Sequence, residues 1–244
     1  LPIFAKYMYY QALTIPFSLY STDTALPSMT QTDLGNHLMC FPPTFEQRTI
    51  ASYLDQKVGQ IDALISEKEK MVEDLKAYRS SLITETVTKG LNKEVKMKDC
   101  GLEWLGMVPE HWEILPFKRG VSINNGRDYK HVQSEDGYPV IGSGGQFAFA
   151  SDYLYDGEVI LLGRKGTIDK PRYFNGRFWT VDTMFYAIPN QKCIAKYMYY
   201  QVLTIPFSLY STDTALPSMT QSDLGNHLMC FPPSSEHRTI SSYL

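Results

Sequence analysis

Five cations, Arg164, Lys165, Lys170, Arg172 and Arg177, lie within fourteen residues that hold a single acid, Asp169. A local excess of positive charge is what contact with a phosphate backbone requires. The whole chain carries a formal charge of −3, so it gains little from indiscriminate nucleic-acid binding and any DNA contact must be local. Tyr173, Phe174, Phe178 and Trp179 interleave with the cations and serve either a core or base stacking. Arginine pairs bidentately with guanine, and asparagine or glutamine with adenine, in the major groove. Arg164, Asn124, Asn125 and Gln146 therefore have the chemistry to read base edges. The turn Gly142-Ser143-Gly144-Gly145 lets the backbone at Ser143 and Gly144 approach a ligand closely, and a tight hairpin explains it equally well. For the cluster as a whole, the alternative is a solvated, charged loop.

Enzyme signatures are weak by comparison. The only Pro-Pro pairs follow Phe41 and Phe231, without the polar side chain that an adenine-methylating pocket uses to hold the amino group. Glu94-Val95-Lys96 matches a nuclease fragment, yet it sits in a charged linker with no placed aspartate before it. Five scattered histidines form no triad or cage, and the four cysteines (Cys40, Cys100, Cys193, Cys230) form no CxxC pair. Reduced, buried thiols are expected, with no metal. No apolar run approaches the roughly 20 residues of a membrane helix, and no basic segment precedes a hydrophobic core at the start, so a soluble, cytoplasmic protein is expected. Leu1, and an end at Leu244 inside a helix start, point to a portion of a longer polypeptide.

The elements that must position these residues are organised by a repeat. Residues 5–54 reappear as 195–244 with 44 of 50 positions identical; the changes are Ala12/Val202, Thr32/Ser222, Thr44/Ser234, Phe45/Ser235, Gln47/His237 and Ala51/Ser241. A period of 190 residues is far beyond the roughly 20 to 50 of a solenoid unit, so this is a duplication of domain scale. Glu46 to Lys89 reads as one long helix stopped by Gly90. Its apolar residues step by threes and fours through Leu54, Val58, Ile61, Ile65, Val72, Leu75 and Leu82, a coiled-coil seam that calls for a partner helix. The second copy of the helix start, entering at Ser234, is the obvious partner. If that helix is unavailable, the stripe is expected to drive a twofold dimer through residues 50–86. Between the helices, Tyr138–Ile141, Glu158–Leu162 and Phe178–Ile188 read as strands, and Ile194–Leu209 as helix broken at Pro206. The class is α+β, a mixed, β-rich domain joined to a long helix.

Four stretches carry a family resemblance. Gly101-Leu102-Glu103-Trp104-Leu105-Gly106-Met107-Val108-Pro109-Glu110-His111-Trp112 resembles the opening of the target-recognition domain found in specificity subunits of type I restriction-modification systems. Tyr138-Pro139-Val140-Ile141 with the glycine turn that follows, and Ile160-Leu161-Leu162-Gly163-Arg164-Lys165-Gly166-Thr167-Ile168, are similar to its early turn and central strand. Pro217-Ser218-Met219-Thr220-Gln221-Ser222-Asp223-Leu224 with Phe231-Pro232-Pro233 resembles its closing segment. The resemblance implies two recognition domains alternating with two long helices that pair antiparallel, each domain reading half of a split site in double-stranded DNA. On that plan residues 1–44 are the tail of a first recognition domain, 45–98 a spacer helix and linker, 99–233 a second recognition domain, and 234–244 the start of a second helix. Residues 1–44 are then expected to pack beside a domain outside this sequence or against another chain. It further implies a non-catalytic subunit that scaffolds methyltransferase and restriction subunits, with S-adenosylmethionine and ATP bound by those partners and no cofactor here. The alternatives are a coiled-coil adaptor without DNA readout and a metal-dependent nuclease using Glu94 and Lys96.

Overall fold

A computed structural model of the chain describes residues 3–20, 28–210 and 218–244. Pro217 lies outside the described residues. The class is α+β, and the chain divides into two compact units within its longest helix, between Leu75 and Lys76.

The first unit holds α1 (Ala5–Leu13), α2 (Gln31–Gly35) and the start of α3 (Thr44–Lys89). Polar side chains join α1 to the first turns of α3. The Phe4 amide donates to Gln47 Oε1 at 2.8 Å, the Tyr10 hydroxyl to Asp55 at 2.7 Å, and Lys6 pairs with Asp55 at 2.6 Å. Along α3, Leu54 is half-buried, while Val58, Ile61, Ile65, Val72 and Leu75 are all exposed. The predicted seam therefore has no cover along most of its length.

The second unit begins with the last turns of α3. Leu82 stays half-buried there, while Ile83 and Val87, one helical step from the seam, enter the main core. Gly90 ends the helix with φ +75°, the left-handed cap that glycine adopts without penalty. Short strands follow: β1 (Met97–Asp99), β2 (Met107–Pro109), β3 (Glu113–Pro116), β4 (Val121–Asn125), β5 (Gln133–Ser134), β6 (Tyr138–Gly142) and β7 (Gly145–Ala150). Next come β8 (Tyr155–Gly163), β9 (Arg172–Thr180) and β10 (Met184–Pro189), and then α4 (Ala195–Val202), α5 (Gln221–Asn226), β11 (Leu228–Phe231) and α6 (Ser234–Tyr243).

Seven strands form one sheet in the order β4-β10-β8-β9-β6-β7-β5, antiparallel except where β6 meets β9. At its centre Val159–Leu162 are all buried, so β8 reads as an unbroken apolar run rather than an alternation. The sheet coils strongly. Phe178 of β9 packs on Tyr186 of β10 with ring centroids 5.7 Å apart although β8 lies between them, and the Arg127 amide donates to Thr180 O at 2.8 Å.

One face of the sheet packs on the main core, where Trp112, Phe117, Leu162 and Phe185 meet residues of the closing segment: Tyr197, Met198, Leu224, Met229 and Ile240. That segment adds a strand as well, β11 on β3. It also anchors the end of α3, because Gln201 Nε2 donates to Val87 O at 2.7 Å and the Tyr197 hydroxyl reaches the same carbonyl at 3.3 Å.

Two expectations need correction. Phe178–Ile188 is not one strand, because residues 181–183 turn between β9 and β10 and the Met184 amide bonds back to Val181 O at 2.9 Å. Of the four thiols only Cys230 is buried; Cys40 is exposed and the other two are half-buried, all of them free.

Candidate nucleic-acid interface

Most of the residues singled out for DNA contact converge on one edge of the second unit, where β4 and β8 end and β9 begins. The loop after β8 folds back tightly: a Cβ on Gly163 would meet Thr167 O at 2.1 Å, which makes glycine obligatory there. The backbone amides of Arg164 and Lys165 then bond Thr183 O at 2.8 and 3.2 Å, and the Met219 amide bonds Arg164 O at 3.0 Å. Arg164 is held over the Phe185 ring, 5.8 Å from its centroid, and donates to Asp182 O at 3.3 Å. A cleft of about 370 Å³ results, lined among others by Asn125, Arg164, Lys165, Thr220 and Gln221. Gln221 spends one amide proton on Ile123 O at 2.9 Å, which leaves its carbonyl oxygen and second N–H for the cleft.

Arg172 ties the neighbouring turn to this edge by donating to Gly144 O at 3.2 Å. Ser143 is half-buried in that turn, and Gly144, Gln146, Lys165, Lys170 and Arg172 are exposed. Among the described residues, Arg164, Lys165, Lys170 and Arg172 form no ion pair, so their charge is open to a ligand.

Two of the sequence-selected residues are not brought to this edge. Asn124 pairs with Tyr186 and Asn125 with Phe185, so strand alternation sends their side chains to opposite faces. Asn124 turns back on its own strand, donating to Ser122 O at 3.1 Å. Arg177 lies five residues along β9 from Arg172, roughly 16 Å away at strand spacing. There it pairs with Asp156 at 2.8 Å, donates to the Tyr138 hydroxyl at 3.1 Å and stacks on Tyr153. Asp156 and Tyr138 hold its guanidinium still more firmly in the charged form.

The interleaved aromatics belong mainly to the cores. Phe178 and Trp179 are buried, and Trp179 Nε1 donates to Arg127 O at 3.0 Å. The Tyr173 hydroxyl bonds the Glu158 carboxylate, and burial together with that bond pushes its pKa up to about 12.

The same edge also carries Gln221, Thr220 and Phe147, which sequence reasoning did not single out. Phe147 is 55% exposed on β7 beside Gly142, with its ring edge-on to Tyr129 at 5.3 Å between centroids. Its adjacency to the turn was the available signal. Glu94 lies in a turn, its amide bonded to Asn92, and is not on a strand; among the described residues no three acids, histidines or cysteines converge on a metal position.

With this geometry in place, comparison with known proteins gives the class. Residues 110–244 match the type I restriction modification DNA specificity domain, and the chain belongs to that family. It is 28% identical over 110 residues to the type I restriction enzyme MjaVIII specificity subunit of Methanocaldococcus jannaschii, a match covering 45% of this chain and 24% of that protein. To the EcoBI specificity subunit of Escherichia coli it is 27% identical over 138 residues, covering 54% and 29%. The fold of the HsdS subunit from Thermoanaerobacter tengcongensis superposes with a TM-score of 0.55 at 15% identity, over 98% of this chain and 61% of that one. A chain from a structure of type I R-M system assembly and conformational transition gives 0.71 at 16% identity, over 98% and 59%. The matches thus span about a quarter of the curated relatives' length and three fifths of the solved chains. Among the described residues, no helix is long and apolar enough to cross a membrane.

Proposed function

We propose that the chain is a non-catalytic reader of double-stranded DNA, recognising one half of a bipartite target for the methyltransferase and restriction subunits of a type I restriction-modification complex. The observation that carries this reading is the loop edge. Four cations without ion-pair partners among the described residues gather there beside a cleft bearing Asn125, Arg164 and Gln221, in a member of this family. Lys165, Lys170 and Arg172 position the duplex through its phosphates, and side chains in the cleft read base edges. S-adenosylmethionine and ATP belong to the partner subunits. The exposed seam of α3 takes a second helix, from the same polypeptide or from a second copy.

Replacing Lys165, Lys170 and Arg172 together by Ala tests the reading. Affinity should fall similarly for all sequences, and the slope of log affinity against log salt should flatten by about 2 to 3, near 0.9 for each phosphate no longer neutralised. Arg164→Ala should instead alter preference among sequences, with about 1 to 3 kcal/mol of discrimination removed at one base pair. Unchanged affinity and slope in the triple variant, measured by fluorescence anisotropy across a salt series, remove this edge from the interface and favour an adaptor without DNA readout.

A further inference from the structure

We propose that Phe147 is a stacking residue of the DNA interface, which lies against the face of a base where the bound duplex opens at one step. The inference rests on the DNA-reading part of the proposed function. It adds a contact of another kind, uncharged and made to a base face, to the phosphate and base-edge contacts named there.

Strand pairing singles Phe147 out. β6 and β7 keep register from Tyr138↔Ala150 to Val140↔Ala148, but the next pairs are Ile141↔Gln146 and Gly142↔Gly145. Phe147 thus has no partner on β6 and is the extra residue of a β-bulge. A bulge gives up a ladder position and re-aims the side chains beside it. Strict alternation would send Gln146 and Phe147 to opposite faces, and with the bulge between the pairs both are exposed.

The ring is held on one side and open on the other. It meets Tyr129 edge-on at 5.3 Å between centroids, and one ring carbon lies 3.1 Å from where a Cβ on Gly142 would stand. Glycine at 142 therefore makes room for the ring, which nevertheless joins none of the buried clusters and leaves Phe147 55% exposed. A side chain fixed by packing before its ligand arrives has little freedom left to lose on binding.

What surrounds the ring suits a nucleotide. Arg172 stands at the same glycine turn, its guanidinium 3.2 Å from the place of a Cβ on Gly145, and it donates to Gly144 O at 3.2 Å. A cation for the phosphate, an amide at Gln146 for a base edge and an aromatic face for the base itself are together what an unstacked nucleotide needs. Apolar side chains set against a base step open it at a cost that depends on the step, so Phe147 would also contribute to sequence preference.

The test uses a duplex enriched from a random-sequence pool by the full chain itself, with a fluorescent adenine analogue placed at each position in turn. One step should brighten on binding, as the analogue leaves its neighbours. Phe147→Ala should lose that signal and bind about 5- to 100-fold more weakly, with the salt slope unchanged because no phosphate contact is lost. Phe147→Leu, which keeps apolar bulk without a ring, should also lose the signal, and Phe147→Trp should restore both signal and affinity. Wild-type affinity and signal in Phe147→Ala overturn the stacking role while DNA reading stands, provided the Lys165, Lys170 and Arg172 triple variant is weakened. A flattened salt slope in Phe147→Ala also overturns it, since the ring would then act only by placing Arg172. A pool that yields no enriched duplex overturns DNA reading and this inference together.

Discussion

The two copies of the repeat have nearly one sequence and two fates. Residues 5–20 and 195–210 both form a helix followed by a 3-10 turn, and both copies build a capping box, Thr30 with Asp33 and Thr220 with Asp223. Both also place a tyrosine hydroxyl on a histidine, Tyr20 on His37 and Tyr210 on His227, at 2.6 Å. Burial separates them: Leu34 is 43% exposed and Leu224 0%, Ile50 38% and Ile240 1%. Local geometry is therefore written in the local sequence through caps, prolines and short-range hydrogen bonds. A strand is different, since residues 228–231 become β11 only because β3 supplies the ladder.

Matched substitutions at equivalent positions of the two copies put this contrast to the test. Leu224→Ala should cost about 2 to 5 kcal/mol in denaturant unfolding of the second unit, because it empties a filled core position. Leu34→Ala should cost under about 0.5 kcal/mol, and equal costs at the two sites would mean that the first copy is buried in solution. Gln201→Ala should cost about 1 to 3 kcal/mol by stripping Val87 O and the Cys230 amide of a buried partner. The same change at Gln11, whose side chain serves only Tyr7 among the described residues, should cost a fraction of that.

The smallest effect is expected at position 237, where His237→Gln restores the residue of the first copy and should add about 1 kcal/mol by giving the buried site a hydrogen-bonding side chain. Burial holds His237 at about 4, and His227 likewise, against an ordinary 6.5. The unfolded chain then takes up protons between pH 6.5 and 4 that the fold does not, so stability is full above that window and falls as pH drops through it. Urea titrations at stepped pH should show a shallower fall in the glutamine variant, with His227 supplying the remainder. An unaltered pH dependence would mean that His237 is solvated.

Much of the scaffold was legible in the sequence. The heptad steps and Gly90 placed the long helix within two residues of its observed bounds, and Tyr138–Ile141 and Glu158–Leu162 both fall inside strands. Phe178–Ile188 hid its turn because residues 181–183 contain neither glycine nor proline. At the candidate interface, a window count of charge could not register that Arg177 lies down the strand with an aspartate of its own. Nor could adjacency in sequence warn that Asn124 and Asn125 face opposite ways. Gln221 was out of reach for another reason: it comes to Arg164 through tertiary folding across 57 positions of chain.

The joint at Val87 has a mechanical side. The last carbonyls of a helix have no partner within it and fray readily, but here Val87 O is gripped by both Gln201 and Tyr197. Slippage cannot be absorbed at this end, so the last turns of α3 act as a keyed shaft for the domain they carry. A slip of one residue would turn those last turns by about 100° and carry Val87 O away from both donors, so their azimuth is fixed against the core of the second unit.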